Sequence, residues 1–365
     1  MRKTTTVTDT LARGVTLGLD LGDRRSHVCV LENSRGGVVG RFVVPTTAPG
    51  LEAGLREFRG ARIVLEAGTH SPWASRLIEG LGLSAVVANP NQLALISRSD
   101  RKTDRNDAET LARLGRLDLD LLRPVKHRSE TQQAHLELLK ARDAVVRART
   151  MQVNHVRCAL KSFGVRAPAC DSDSFAAKAG EHIPEALGPA LRPLLAVISL
   201  LTKSIRRYDR EVDRLCEKSY PQAAVLRQVN GVGPLPSLAY VLVLGSPERF
   251  RTSRQAGSYL GLCPKVSQSG DQDPQRHITK AGNGFLRRLL VQGAHYITGP
   301  FGEDSTLRRV GLRLMASGGA RGKKRAVAAV ARRLAVLLHH LWKTGEAYDP
   351  LHNAPTAAGA AATQR

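Results

Sequence analysis

The sequence lacks the marks of several protein classes. It contains no CxxC pair, and its cysteines (Cys29, Cys158, Cys170, Cys216 and Cys263) are odd in number. That argues against a zinc ribbon or a disulfide framework and suits a reducing compartment. Aromatic residues are only 4%, so stacking of single-stranded bases is not the expected main mode of binding. No run of about 18 apolar residues stands out, and the polar, Thr-rich stretch before Asp20 does not read as a signal peptide. A soluble, cytoplasmic chain with no membrane partner is the expectation. Acids are scarce too: 32 Asp and Glu face 55 Lys and Arg, a formal charge of +23. Such an excess attracts polyanions, nucleic acid before all others.

The chain has 365 residues, 42% of them hydrophobic, enough for two or three domains with cores of their own. Residues 15–21 (VTLGLDL), 27–31 (HVCVL) and 38–44 (VVGRFVV) are short β-rich runs parted by turn formers. Helical stretches near 49–59, 72–81, 90–97 and 104–116 then alternate with strands at 61–66 and 84–88. A meander followed by such alternation predicts an α/β domain with a mixed sheet. From 129 to 162 and from 190 to 219 the pattern is helical, with a Pro/Gly/Asp/Ser-rich connection at 164–189. Two long helices suggest a hairpin, equally readable as a dimerisation stalk or as a single-chain spacer. Beyond 224 Gly-rich turns separate short helices. Between Arg276 and Lys343, 14 Lys or Arg face only Glu303 and Asp304.

Four acids call for chemistry. Asp20 ends the first apolar strand (LGLDLGD) and Glu66 the fourth (IVLEAG), where a solvated-surface role is least natural. Asp104 and Asp107, in KTDRNDAETLA, stand three apart at a helix start and so share one face. Either aspartate alone could merely serve the helix terminus, Asp104 as an N-cap. Together, adjacent carboxylates raise each other's pKa unless a cation lies between them. Mg²⁺, with Mn²⁺ as an alternative, is the expected occupant of an all-oxygen site. Two such ions would suit in-line displacement at a phosphodiester, Asp20 bridging them and Glu66 with Asp107 or Asp104 completing each shell. Asp23 reads as a turn residue and Glu109 as a helix surface group.

The meander with LGLDLG, then VLEAG, then KTDRNDA resembles the RuvC-like, ribonuclease-H-fold domain of DEDD insertion-sequence transposases, the IS110 family with its IS1111 branch. The resemblance carries the family's four acids onto Asp20, Glu66, Asp104 and Asp107. Residues 258–296, with their GLCP, SG, ITKAGN and LRRLL segments, resemble the second domain of that family. There a serine in the Ser-Gly pair is the proposed nucleophile, which implies Ser269, with Ser267 as the rival. By itself a Ser-Gly pair denotes a turn. No His–Ser pair of obvious geometry accompanies it, although His277 could approach across a hairpin, so the resemblance implies activation by the acid-held metal. It further implies DNA donor ends and target as substrates, a structured non-coding bridge RNA as guide, and a homo-oligomer, dimer or higher.

Gly231-Val232-Gly233, between apolar helical stretches, has the form of a helix-hairpin-helix turn that offers backbone N–H groups to phosphate. A plain helix–helix turn has the same signature. Lys280, Arg287, Arg288 and the run Arg321, Lys323, Lys324, Arg325 are candidate phosphate contacts, extended by Arg332 and Arg333.

The expected organisation is therefore a flexible segment 1–14, a RuvC-like catalytic domain 15–125, a helical hairpin 126–222, a mostly helical C-terminal domain 223–346 and a disordered tail 347–365. The leading function is a metal-assisted DNA recombinase with a serine nucleophile. A RuvC-like nuclease using water is the first alternative. A sugar kinase or ATPase would need a second Gly-rich phosphate loop, which the sequence does not offer, and a non-catalytic RNA-binding protein would not need the four acids.

Overall fold

Strand β1 (Val15–Leu21) runs up the centre of a five-stranded sheet of order β3-β2-β1-β4-β5. It pairs antiparallel with β2 (Arg25–Glu32), which pairs antiparallel with β3 (Val38–Pro45), and parallel with β4 (Arg62–Glu66), beside which β5 (Ser84–Ala88) is also parallel. The computed structural model describes residues 14–90, 93, 103–266, 276–317, 319 and 322–352. They divide at Glu130/Thr131 into two compact units. The mixed sheet of the first unit and the helical second one are the α/β and α classes the sequence predicts. The expected helix near 90–97 falls almost wholly outside the described residues.

Strand periodicity sorts the first unit into layers. Leu17, Leu19, Ile63 and Leu65 join one core with Leu51 and Leu55 of α1 (Ala48–Leu55) and Ala74 and Ile78 of α2 (Ser71–Gly80). The alternate residues Gly18, Cys29, Leu31 and Val64 belong to the face covered by α3 (Asp104–Leu117). That helix presents a stripe of small residues to the sheet, Ala108, Ala112 and Gly115. A Cβ on Gly18 would lie 1.9 Å from the Ala108 carbonyl oxygen, and one on Gly115 would lie 2.1 Å from Val64 Cγ2. At Gly18 helix and strand meet backbone to backbone.

In the second unit α4 (Glu130–Ser162) and α6 (Gly188–Lys218) form the expected antiparallel pair. Arg142 meets Asp209 at 2.6 Å and the buried Arg149 donates to Thr202 at 3.2 Å. Val153, Val156 and Leu160 pack with Leu191, Leu195 and Ile198. The connection is less irregular than its composition predicts, for α5 (Phe175–Gly180) closes this core with Phe175 and Ala179. The helical segment Glu185–Lys218 is long and apolar enough to cross a membrane, with a mean hydropathy of 1.3 over 18 residues. One such helix is weak evidence for a span, and its Leu191–Leu195–Ile198 side is spent on α4.

The remaining helices are α7 (Ala223–Leu226), α8 (Pro234–Leu244), α9 (Ser253–Tyr259), α10 (Gly284–Thr298), α11 (Thr306–Ser317) and α12 (Gly322–Thr344). Their core surrounds α8, whose buried Tyr240 hydroxyl donates to the Ala335 carbonyl at 2.5 Å. Residues 347–352, expected within a disordered tail, are instead held. Thr306 donates its N–H to the Pro350 carbonyl and its hydroxyl to that of His352, while Gln228 accepts the Tyr348 N–H.

Candidate active site

The layering decides where the acids go. Asp20 lies two residues beyond Gly18 on β1, and Glu66 two beyond Val64 on β4, so both are on the α3 side of the sheet at the carboxyl ends of neighbouring parallel strands. The pairing Gly18↔Val64 sets them side by side. His27, the partner of Asp20 across β1 and β2, shares that side with Cys29. Helix α3 crosses the same face and delivers Asp104 and Asp107 from its first turn. Thr103, not Asp104, is the N-cap, its hydroxyl accepting the Asn106 N–H. Asp104 is thus released from a capping duty; it lies 3.7 Å from His27 Nε2, whereas Asp107 is buried.

The other three acids bear on Asp20. The Asp20 carboxyl is pushed up from 3.8 to about 6, first by burial, then by the negative charges of Asp104, Asp107 and Glu66, with His27 opposing. The side chains are coupled without closing on one point: among the described residues, no three Asp, Glu, His or Cys side chains come together closely enough to ligate an ion. The donors fit a hard divalent cation in chemistry, being all oxygen and short of positive charge. To hold one they would have to draw in on it.

The frame around the acids was not apparent from the sequence. Glu109, expected as a helix surface group, accepts from Arg41 of β3 at 2.5 Å and from Arg113 at 2.7 Å, and these arginines hold its carboxyl below the usual range. It fastens α3 across the sheet to an edge strand. Arg62 donates to the Gly115 carbonyl and Arg116 to that of Asn33, fixing the other end of the helix. Beyond Glu66, Ser71 is a fully buried hub. Its hydroxyl donates to the Gly68 carbonyl at 2.8 Å and accepts the Gly68 N–H at 2.9 Å. With that hydrogen committed, His127 Nε2, 2.9 Å away, must be the donor to Ser71. Burial, then Arg128 and Arg76, pushes the His127 pKa down, which favours this neutral form.

In the second unit Ser269 and Ser267 lie outside the described residues, as does Arg321. The segment carrying the serines is framed by a short antiparallel stem, with a Pro264↔Ile278 bridge, the Lys265 N–H donating to the His277 carbonyl and the Thr279 N–H to that of Cys263. Just past the stem Lys280 is exposed and has a positive φ of 56°, a conformation that non-glycine residues keep only where surroundings impose it. Here the Lys280 N–H bonds to the Gly261 carbonyl.

Arg287 and Arg288 are less available than the sequence suggested. Arg287 donates to the carbonyls of Leu260 (3.0 Å) and Ala281 (2.8 Å), and Arg288 pairs with Asp143 at 2.6 Å. Lys323, Lys324 and Arg325 open α12, are exposed and have no carboxylate partner among the described residues. Gly231, with φ of 88°, turns the chain against Gly293 of α10, and Gly233 caps α8. Pro234 and Pro236 remove two N–H groups from the α8 terminus and Ser237 donates a third to Gly233, so few are left for phosphate.

Comparison with known proteins matches this sequence to transposases. A family model described as Transposase matches residues 17–164, which include all four acids. A second, described as Transposase IS116/IS110/IS902 family, matches 223–301. The chain is 30% identical over 250 residues to a probable family 20 transposase of Pseudomonas aeruginosa, covering 66% of this chain and 72% of the relative. It is 28% identical over 298 residues to the transposase for insertion sequence element IS1111A of Coxiella burnetii, covering 78% and 79%. To that of IS1328 of Yersinia enterocolitica it is 30% identical over 233 residues, covering 62% and 67%. The class is that of the transposases, enzymes of DNA strand transfer. Within it, this chain belongs to the IS116/IS110/IS902 family.

Proposed function

We propose that the protein cuts and rejoins the DNA strands of an insertion sequence, with Asp20, Glu66, Asp104 and Asp107 as the acids that hold the reacting phosphodiester's metal and Ser269 as the nucleophile. The observation that carries this reading is the placement of Asp20 and Glu66 at neighbouring strand ends under the helix turn that bears Asp104 and Asp107, where burial and then the three other carboxylates raise Asp20 to about 6. The sheet order, with an antiparallel meander on one side of β1 and parallel strands on the other, supports a ribonuclease-H-like assignment of the first unit. Divalent ions, Mg²⁺ or Mn²⁺, would supply activation of the attacking oxygen and relief of charge on the leaving one.

The residues' own parts follow. Ser269 Oγ forms a bond to phosphorus, a bridging ester oxygen leaves with the electron pair of its P–O bond, and the serine proton passes to solvent. The phosphoserine–DNA ester retains the energy of the broken link, so a second strand's hydroxyl can displace the serine and complete the exchange. Lys280, Arg287, Arg288, Lys323, Lys324 and Arg325, with Arg321, serve the DNA or RNA backbone, Arg287 while bracing the loop at Leu260 and Ala281 and Arg288 while paired with Asp143 of α4. The Gly231–Gly233 turn is the helix-hairpin-helix element. A structured RNA guide, donor and target DNA as substrates, a homo-oligomer, and the division at 15–125, 126–222 and 223–346 complete the reading.

Trapping tests the serine. Wild-type protein incubated with labelled DNA and Mg²⁺, then denatured, should carry label covalently, and Ser269→Ala should cleave nothing. Cleavage retained by Ser269→Ala would favour the nuclease that uses water. A discrete RNA co-purifying with the protein would support guidance, and its absence would remove it. Replacing Lys323, Lys324 and Arg325 together by Gln should lower the log–log salt slope of duplex binding by about 2.7 if all three meet phosphates, about 0.9 for each. An unchanged slope would place the contacts elsewhere.

A further inference from the structure

The carboxyl ends of β1 and β4 emit two loops that the proposed chemistry leaves unused. One is the turn at Asp23, three residues past Asp20; the other reaches His70, four past Glu66. The two meet, with His70 Nε2 3.6 Å from Asp23 Oδ1. The His70 ring is held rather than loose. Trp73 Nε1 donates to His70 Nδ1 at 3.2 Å, and the two rings stand edge to face at 90°. Because Nδ1 accepts, the neutral ring carries its hydrogen on Nε2. The backbone beneath it is fixed by the buried Ser71 hub and His127.

That N–H is aimed but underused. A separation of 3.6 Å exceeds a hydrogen bond, and Asp23 is 92% exposed, so this carboxylate is a loose, solvated neighbour. A preoriented donor, 31% exposed, at the same end of the sheet as Asp20 and Glu66, is suited to an anionic oxygen arriving from solvent. We infer that His70 binds a backbone phosphate of the DNA strand next to the one that reacts, displacing Asp23 as it does so. The inference rests on the DNA-cleaving reading above and adds a residue that anchors the substrate.

The test uses full-length protein with whatever RNA it carries, Mg²⁺, and a supercoiled plasmid bearing the gene with its flanking DNA. His70→Ala should raise KM for the plasmid roughly tenfold, the effect of one hydrogen bond to a charged group, with kcat within about twofold. His70→Gln, which keeps an N–H donor, should recover most of the loss. Asp23→Ala should lower KM, since the competing carboxylate is gone. Unchanged KM in His70→Ala, with unchanged thermal stability, would overturn the inference. So would an equal loss in Asp23→Ala, which would make the pair a structural clasp. Wild-type protein that never cleaves under these conditions would instead sink the parent reading, so the two failures are distinguishable.

Discussion

Asp20→Asn should stabilise the metal-free protein at neutral pH while abolishing strand cleavage. The Asp20 carboxyl is raised to about 6 by burial and by three neighbouring carboxylates. A raised acid pKa means that between the ordinary value of 3.8 and about 6 the folded chain holds a proton the unfolded chain has released. The stability from this group is therefore full below 3.8 and is lost as pH rises through 6. About two pH units correspond to at most roughly 3 kcal/mol at pH 7, and to less once solvent screening of this partly exposed carboxyl is counted. In urea unfolding of the metal-free proteins the asparagine variant should be the more stable at pH 7. Its advantage over wild type should shrink as pH falls from 7 to 4, the other titrating groups being common to both. A variant less stable than wild type at pH 7 would contradict the crowding on which the proposed site depends. Added Mg²⁺ should stabilise the wild type and not the variant, since ligand binds only the folded form.

Gly18→Val should dismantle the site without touching an acid. The new Cβ would fall 1.9 Å from the Ala108 carbonyl oxygen and 2.5 Å from the Ala112 nitrogen, both backbone atoms that cannot rotate away. Either β1 or α3 must move, at a cost of about 1–3 kcal/mol for overpacking. Because Asp104 and Asp107 ride on α3 and Asp20 on β1, the same movement separates them. A displacement of about 1 Å is enough to cost roughly a hundredfold in rate. Cleavage should thus fall at least a hundredfold at temperatures where circular dichroism shows the variant folded. Gly115→Val is the control: it meets a side chain, Val64, rather than backbone, two helical turns beyond the acids. It should destabilise with a smaller loss of rate, and a ratio near one between the two variants would refute a site set by the Gly18 contact.

How much of this could be read from the sequence depends on the range of the interaction. The strands and the order of the acids were legible because alternation and turn residues are local signals. Even the shared side of Asp20 and Glu66 follows from period two once the strands are placed. Gly18 was not legible, for a glycine between two leucines in LGLDL looks like a weak point of a strand rather than the seat of a helix. Nor was Glu109, whose partner Arg41 lies 68 residues away and only the folded sheet brings near. The same limit hid the local partners of Arg287 and Arg288. Their charge suggested phosphate, but a guanidinium beside bare carbonyls or Asp143 is used at home first. The intact Lys323-Lys324-Arg325 group is distinguished from them only by its surroundings.

The seating of α3 on β1 has a consequence for the order in which the first unit assembles. Some 86 residues separate Asp104 from Gly18, and contacts so distant in sequence close late, after their loop-closure entropy has been met. The sheet with α1 and α2 has a core of its own that excludes α3. The helix should therefore be the last large piece to dock, each step of its approach bringing Asp104 and Asp107 toward an Asp20 that is ionised at neutral pH until they arrive. In metal-free protein the like charges oppose only that final step, so α3 should open and close more readily than the sheet it covers. Amide hydrogen exchange would register this as fast exchange confined to residues 104–117. A cation between the acids would slow it. The catalytic charge and the folding latch would then be one device, open until the ion arrives.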